Sequence, residues 1–352
     1  MVLRKILVLL ECGVLLAALL VVGAAWQQQR ALEQPLQLDK EMLLEVPSGA
    51  TPSGLLNRLE AEGVIDNAFW LRLYWRFNLR APAMHSGEYR LLPEYNARDM
   101  LGLWQRGEVV QYSLTLVEGW NFRQVRAALA RQERLEQRLA DLSDAQLMER
   151  LGLAGQNPEG RFFPDTYRYV RGMSDEDLLK QANVRLESVL AEEWQKRAEG
   201  LPYREPYDAL IMASMIEKET GVPEERGEIA GVFVRRLRMG MRLQTDPTVI
   251  YGMGERYNGR ITRADLRTPT PYNTYTIDGM PPTPIAMVGR EAIHAALNPL
   301  DGTTLYFVAR GDGSHVFSNT LAEHNRAVRE YQLKRRADYR SSPAPRAAAE
   351  TE

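Results

Sequence analysis

Cysteine occurs once, at Cys12, so the chain has no internal disulfide and no thiolate cluster for zinc. Histidine occurs four times, at His85, His294, His315 and His324, with no H-E-x-x-H or other metal-ligand spacing. Charge of one sign is not in excess either. The 44 Lys and Arg face 46 Asp and Glu, a formal net charge of −2, which gives no general field for holding nucleic acid. There is no G-x-S-x-G nucleophile elbow, and Ser214 lies inside an apolar run. Gly252-Met253-Gly254 lacks the third glycine of a dinucleotide fingerprint, because position 257 is Tyr257. Arg235-Arg236-Leu237-Arg238 is one turn of an amphipathic helix, short for a nucleic-acid patch. Gly311-Asp312-Gly313-Ser314-His315 reads as a hairpin turn between Leu305–Ala309 and Val316–Ser318. These absences leave a metal-free, cofactor-free protein. Its 352 residues, 45% hydrophobic and 26% charged, suit about two globular units.

The N-terminus is the one long apolar run. Arg4 and Lys5 precede Ile6 to Trp26, whose only charge is Glu11. As a helix, those residues span roughly 30 Å, the thickness of a hydrocarbon core. The positive flank places residues 1–5 in the cytoplasm and everything after the span across the membrane. Two readings compete: an uncleaved single-pass anchor at 6–26, and a signal peptide processed at Gly23-Ala24-Ala25. The length of the run and its interfacial Trp26 favour the anchor. Cys12 follows Glu11 and so sits in no lipoprotein box.

A polar linker (27–42) leads to a pattern stated three times. Leu43–Val46, Tyr89–Leu92 and Leu114–Val117 are short strand candidates, each followed by a Pro or Gly turn. Thr51, Asn96 and Asn121 then stand as N-caps before apolar-periodic helices. Val64 to Leu79 adds a helix rich in Trp and Tyr. This is an α+β design, and a shared small core would account for it. In pattern, residues 43–108 also resemble a LysM-like βααβ module, a fold of peptidoglycan-binding proteins. The module is set at 43–112, the remaining domain at 113–335, and the Ser-Pro-Ala tail at 336–352 is expected to be disordered.

Chemistry concentrates between Tyr207 and Gly252. Ala209 to Ile216 is almost wholly apolar, so a helix there is buried on most sides. It stops in Glu217-Lys218-Glu219-Thr220, with Gly221 as an expected C-cap and Pro223 barring continuation. A second helix is expected from about Glu224 to Met239, ended by Gly240. Glu219 thus falls in the last turn of a buried helix. Burial and the negative dipole end both disfavour its carboxylate and raise its pKa. A carboxylic acid kept protonated near neutrality suits acid-catalysed cleavage of a glycosidic bond. A solvated helix cap would be written with the same letters. Glu217, about 200° round the helix, does not share a site with Glu219; Arg235 or Arg236 is its expected partner.

The motifs in and beyond this stretch carry a resemblance. Ile216-Glu217-Lys218-Glu219-Thr220, the run Arg238 to Gly252 (RMGMRLQTDPTVIYG), Thr268-Pro269-Thr270-Pro271-Tyr272-Asn273-Thr274-Tyr275, Gly279 to Ile285 and His324-Asn325 resemble the YceG-like family of endolytic murein transglycosylases over residues 88–333. The resemblance implies a domain related to lysozyme-like transglycosylases, with Glu219 as the single catalytic glutamate. It implies a substrate, peptidoglycan, cut between N-acetylmuramic acid and N-acetylglucosamine to leave 1,6-anhydro ends. It also implies an inner-membrane protein with a periplasmic catalytic part and cell-wall synthases as partners. Gln244, Asp246, Tyr272, Asn273 and Tyr275 are the expected substrate-binding residues, though Asp246-Pro247 is also a common turn and 272–275 a plain loop. Phe162 to Tyr167 either walls the cleft or belongs to the core. Two other outcomes are a hydrolase with Asp246 or Asp165 as second carboxylate, and a murein-binding scaffold whose glutamate is structural.

Overall fold

A computed structural model describes residues 2–78 and 84–333, with side chains for 4–77 and 84–333. The expected disordered tail and the last residue of the Trp-rich helix, Leu79, lie outside these residues. The chain divides into two compact units. The first runs through Ser113 and takes in Glu133–Glu136 and Arg168–Met173; the second comprises Leu114–Gln132, Gln137–Tyr167 and the chain from Ser174.

The first unit begins with α1 (Val2–Glu33), a single helix of 32 residues. Its side chains are exposed all round from Arg4 to Gly23, and its apolar stretch is long enough to cross a membrane. The helix does not stop where the apolar stretch does. Ala24 and Gln28 are half covered and Ala31 and Leu32 buried, positions that share one helix face. Residues 27–33, read from composition as linker, are therefore helical and partly core.

There follow β1 (Met42–Val46), α2 (Pro52–Ala61), α3 (Ala68–Asn78), β2 (Gly87–Leu91) and α4 (Ala97–Arg106). β1 and β2 pair antiparallel from Met42↔Leu91 to Val46↔Gly87, which makes β1–α2–α3–β2 a βααβ unit. Thr51 caps α2, accepting from Gly54 N–H at 3.1 Å. Asn96 closes a capping box with Asp99 at α4. Such caps satisfy donors that a helix start leaves open. The core under this sheet joins Leu32, Leu44, Leu56, Leu59, Leu71, Tyr89, Met100 and Trp104. Each fully buried large apolar side chain there stabilises by about 1.5–3 kcal/mol.

In the second unit the elements are β3 (Tyr112–Thr115, which starts in the first), α5 (Phe122–Ala130), α6 (Asp144–Arg150), β4 (Thr166–Tyr169, which ends in the first), α7 (Asp175–Gln195) and α8 (Pro206–Glu219). They continue with α9 (Arg226–Arg238), α10 (Asp246–Met253), α11 (Arg263–Arg267), α12 (Arg290–Leu297), the hairpin β5 (Tyr306–Ala309) and β6 (His315–Ser318), and α13 (Leu321–Val328). Asn121 caps α5 as expected. α8 is the axis of this unit. Every residue from Asp208 to Ile216 is buried, and α7, α9, α10 and α12 pack around it. Ser214 belongs to this packing, donating to Ile211 O at 2.7 Å and accepting from Ile285 N–H at 2.9 Å. Phe162 and Phe163 are buried too, Phe163 within the core around α8, so that segment is core and not cleft wall.

The end of α8 differs in detail from expectation. The helix is stopped by Thr220 in extended backbone (φ −139°, ψ 138°), without a left-handed Gly221. The Thr220 hydroxyl accepts from Val222 N–H at 3.0 Å, a local bond that competes with helix continuation.

Candidate active site

Each residue of the last turn of α8 is held by a different part of the second unit. Glu217 Oε2 accepts from Gly289 N–H at 3.1 Å, Lys218 Nζ donates to Gly119 O at 3.1 Å, Thr245 Oγ1 donates to Glu219 Oε2 at 2.8 Å, and Thr220 Oγ1 donates to Glu225 Oε2 at 3.1 Å. The expected pairing of Glu217 with Arg235 or Arg236 is not formed. Arg235 is spent on Thr304 and Leu300, and Arg236 on the carbonyls of Leu305, Arg242 and Leu243. Arg235 runs to a loop 65 to 69 residues on, and Arg236 to Leu305 and to the turn just past its own helix, a choice that spacing along one helix cannot show.

Glu219 is half-buried, and burial pushes its carboxyl up to about 7. The Thr245 hydroxyl opposes that rise, the charge of Asp246 adds to it, and the buried Arg236 guanidinium opposes it. One acid is thereby held protonated close to neutrality, with a single donor to steady its ionised form.

Thr245 and Asp246 reach Glu219 on a loop that leads into α10. Gln244 there adopts φ +53°, a left-handed backbone that costs a non-glycine residue roughly 1–2 kcal/mol. The turn is pinned by Gln244 N–H to Thr274 O at 3.2 Å and Thr245 N–H to Thr274 Oγ1 at 3.0 Å. Its consequence is local: Thr245 turns inward, 1% exposed, while Gln244 and Asp246 stay exposed.

Tyr275 donates to Asp246 Oδ1 at 2.7 Å, so Glu219, Thr245, Asp246 and Tyr275 form one cluster. Burial, then the Asp246 charge, raises the Tyr275 phenol and keeps it a donor. Tyr272 stands apart from that cluster, its ring 4.8 Å from that of Tyr251 and its hydroxyl 2.9 Å from Thr283 Oγ1. Asn273, expected at the substrate, is placed elsewhere. It is 1% exposed, its amide donates to the carbonyls of Asp265, Leu266 and Thr268, and its oxygen accepts from Tyr275 N–H. With its amide fully committed, Asn273 is a staple that sets the loop carrying Tyr272 and Tyr275.

A cavity of 1310 Å³ opens in this unit, with Phe122, Glu159, Lys218, Ile250, Tyr251 and Tyr272 in its wall. Glu219 is not in that wall, but its neighbour Lys218 is, as is Pro247 beside Asp246. Glu159 is the residue the sequence did not announce. It is 4% exposed, accepts from Phe122 N–H at 3.0 and 3.2 Å and from the Tyr251 hydroxyl at 3.0 Å, and burial pushes it up to about 7. Gly160 behind it has φ +72°, and a Cβ there would lie 2.5 Å from Pro284, so only glycine lets the two loops approach. Asp165 is exposed on the approach to β4, its carboxylate accepting from Thr166 N–H.

A last contact reaches α8 from the hairpin. Glu225 accepts from His315 N–H at 2.8 Å and lies 2.7 Å from His315 Nδ1. The chain Thr220–Glu225–His315 thus ties the residue after Glu219 to β6, in a segment that reads as a bare turn from its glycines.

Comparison with known proteins places this arrangement. The chain is 30% identical to the endolytic murein transglycosylase of Bacillus subtilis strain 168, over 89% of this chain and 91% of that one. To the endolytic murein transglycosylase of Streptococcus pneumoniae strain D39 it is 26% identical over 89% of its own length and 63% of that protein's. A crystal structure of a putative yceG-like protein from Listeria monocytogenes superposes with a TM-score of 0.53 at 32% identity, covering 82% of this chain and 99% of that one. The family model described as YceG-like matches residues 44–330, which takes in both the βααβ unit and the α8 site, and the chain belongs to the YceG-like family.

Proposed function

We propose that the protein is an endolytic peptidoglycan lytic transglycosylase with Glu219 as its single acid and base. The observation that carries the reading is one carboxyl at the end of a buried helix, pushed up to about 7 and held by Thr245, in a chain whose relatives bear that enzyme's name. Protonated Glu219 gives its proton to the oxygen between N-acetylmuramic acid and N-acetylglucosamine, and the bond to muramic C1 breaks. The resulting carboxylate takes the proton of the muramic C6 hydroxyl as O6 closes on C1. The proton count balances, no water enters, and the products are a free 4-hydroxyl on glucosamine and a 1,6-anhydromuramic end. Thr245 steadies the carboxylate between the two steps. The Asp246 carboxylate, oriented by Tyr275, faces the positive charge that develops at C1. The cavity walled by Tyr251, Tyr272 and Ile250 offers apolar faces to sugar rings, and Gln244 an exposed amide.

The βααβ unit is read as a LysM-like glycan-holding module, and the second unit as a relative of the lysozyme-like transglycosylases. α1 is read as an inner-membrane anchor that keeps the periplasmic catalytic part beside nascent strands and their synthases, where internal cuts limit strand length.

The test compares full-length protein with its Glu219→Gln form on purified peptidoglycan, with products weighed by mass spectrometry. The expected outcome is muropeptides one water lighter than hydrolysis products, absent with the variant. Products that contain the water point to a hydrolase using Asp246, and equal activity of the two forms sinks the assignment of Glu219.

A further inference from the structure

α3 is apolar on two sides. Ala68 and Leu71 are fully buried in the first unit, and Trp75 packs edge-on against Trp104 at 6.1 Å. The opposite face holds Phe69, 57% exposed, half-exposed Leu73, exposed Arg76, and Phe77, 71% exposed. Positions 69, 73, 76 and 77 follow the spacing of one helix stripe. Half-exposed Trp70 stands edge-on to Phe69 at 5.2 Å, and the Arg76 guanidinium lies over the Phe77 ring at 5.8 Å. A solvent-facing stripe is ordinarily polar; one built of Phe, Leu, Arg and Phe calls for a partner.

The partner is indicated by where the stripe sits. α1 packs against α3 and α4, and its covered face begins at Ala24, two residues before Trp26. Gln34 joins α1 to the start of α3 through both Asp66 N–H (2.8 Å) and Asp66 O (2.6 Å). Gln29 accepts from Arg98 of α4 at 3.0 Å. From Trp26 to the buried Ala31 and Leu32 is about 8 Å of helix, close to the depth of a headgroup layer, roughly 5–8 Å on each side of the hydrocarbon. Trp26 itself carries Arg30 over its ring at 5.6 Å, the aromatic and basic pairing of a membrane border.

We infer that α3 is a second membrane contact: Phe69, Leu73 and Phe77 enter the headgroup–acyl boundary of the same bilayer that α1 crosses, with the exposed Arg76 at lipid phosphates. The combination of aromatic anchors and basic residues on one short helix is what binds such an interface. The inference rests on α1 being retained as an anchor. It gives the first unit a fixed face toward lipid in place of a swinging tether.

The experiment uses full-length protein with Cys12→Ser, in phosphatidylethanolamine–phosphatidylglycerol vesicles. A nitroxide is attached to single cysteines at Phe69, Phe77 and Arg76, the last leaving both phenylalanines in place. Leu16 within the span and Val184, 68% exposed on α7, serve as references. Collision with oxygen, which concentrates in lipid, is compared with collision with a water-soluble nickel chelate. All three α3 labels are expected to favour oxygen several-fold more than Val184 and less than Leu16, the order of a headgroup depth. Labels as watery as Val184 overturn the inference while Leu16 still reports lipid. Labels shielded from both quenchers show that protein, such as a second copy, covers the face, and overturn it equally. A watery Leu16 removes the anchor itself.

Discussion

A carboxyl that must give a proton and take one back works best when its two forms are nearly balanced at the working pH. At Glu219 that balance is a contest between burial, which favours the acid, and the Thr245 hydroxyl, which favours the base. Thr245→Val removes the hydroxyl that donates to Glu219 Oε2 and tips the carboxyl further toward the acid. The falling alkaline limb of kcat/KM, set by loss of the acid's proton near pH 7, is therefore expected to move to higher pH, and a limb that stays or moves down contradicts the assignment. Glu159 makes the complementary case in stability. Its folded value of about 7 lies above the ordinary 4.5, so between those values the folded chain holds a proton that the unfolded chain releases. Stability is full below about pH 4.5 and falls as pH rises through 7, by up to about 3 kcal/mol. Glu159→Gln should flatten that fall; equal slopes of unfolding free energy against pH in both proteins would refute it. The burial of Glu219 was legible because a buried helix ends on it within a few letters. Glu159 was not, because its burial comes from Phe122 and Tyr251, 37 and 92 residues away.

At the scale of elements, the last turn of α8 is over-determined, with contacts from Gly119, Thr245, Glu225 and Gly289. In the role proposed for Glu219, such a turn fixes the acid's position, and a shift of about 1 Å can cost 100-fold in rate. The outermost of these contacts is testable without touching the carboxyl. His315 and Glu225 side chains are 8% and 13% exposed, so removing either one deprives the other of a buried hydrogen-bond partner and costs about 1–3 kcal/mol. His315→Ala and Glu225→Gln are each expected to lower unfolding stability and kcat with KM little changed. Because both break the same link, the double variant should lose much less than the sum, and additive losses in a double-mutant cycle would show the pair to be independent. Strand-turn-helix order, caps and the α8 stop could all be read locally, from period and turn chemistry. The staple role of Asn273 and the true partners of Arg235 and Arg236 could not, since each is decided by loops that fold back from elsewhere.

For the whole molecule, composition suggested about two units and one apolar helix, and drew a linker where α1 in fact continues to Glu33. Three glutamines and two charges, Arg30 and Glu33, look like linker on a polarity scale; only the core this segment meets shows the face that is buried. That continuity bears on processing. Gly23-Ala24-Ala25 lies mid-helix, with Ala24 half covered, and an intact helix is a poor substrate for a protease, which cuts extended, accessible chain. Intact mass spectrometry of protein extracted from membranes should therefore return the unprocessed N-terminus, whereas a mass lacking residues 1–25 would return the signal-peptide reading. The same unbroken helix also sets an angle. Each residue along it turns the chain by 100°, so the stripe that faces lipid and the stripe that faces Leu71 and Trp104 keep a constant phase. Any neighbour that grips α1 within the bilayer by one side thereby fixes the compass bearing of the first unit above it.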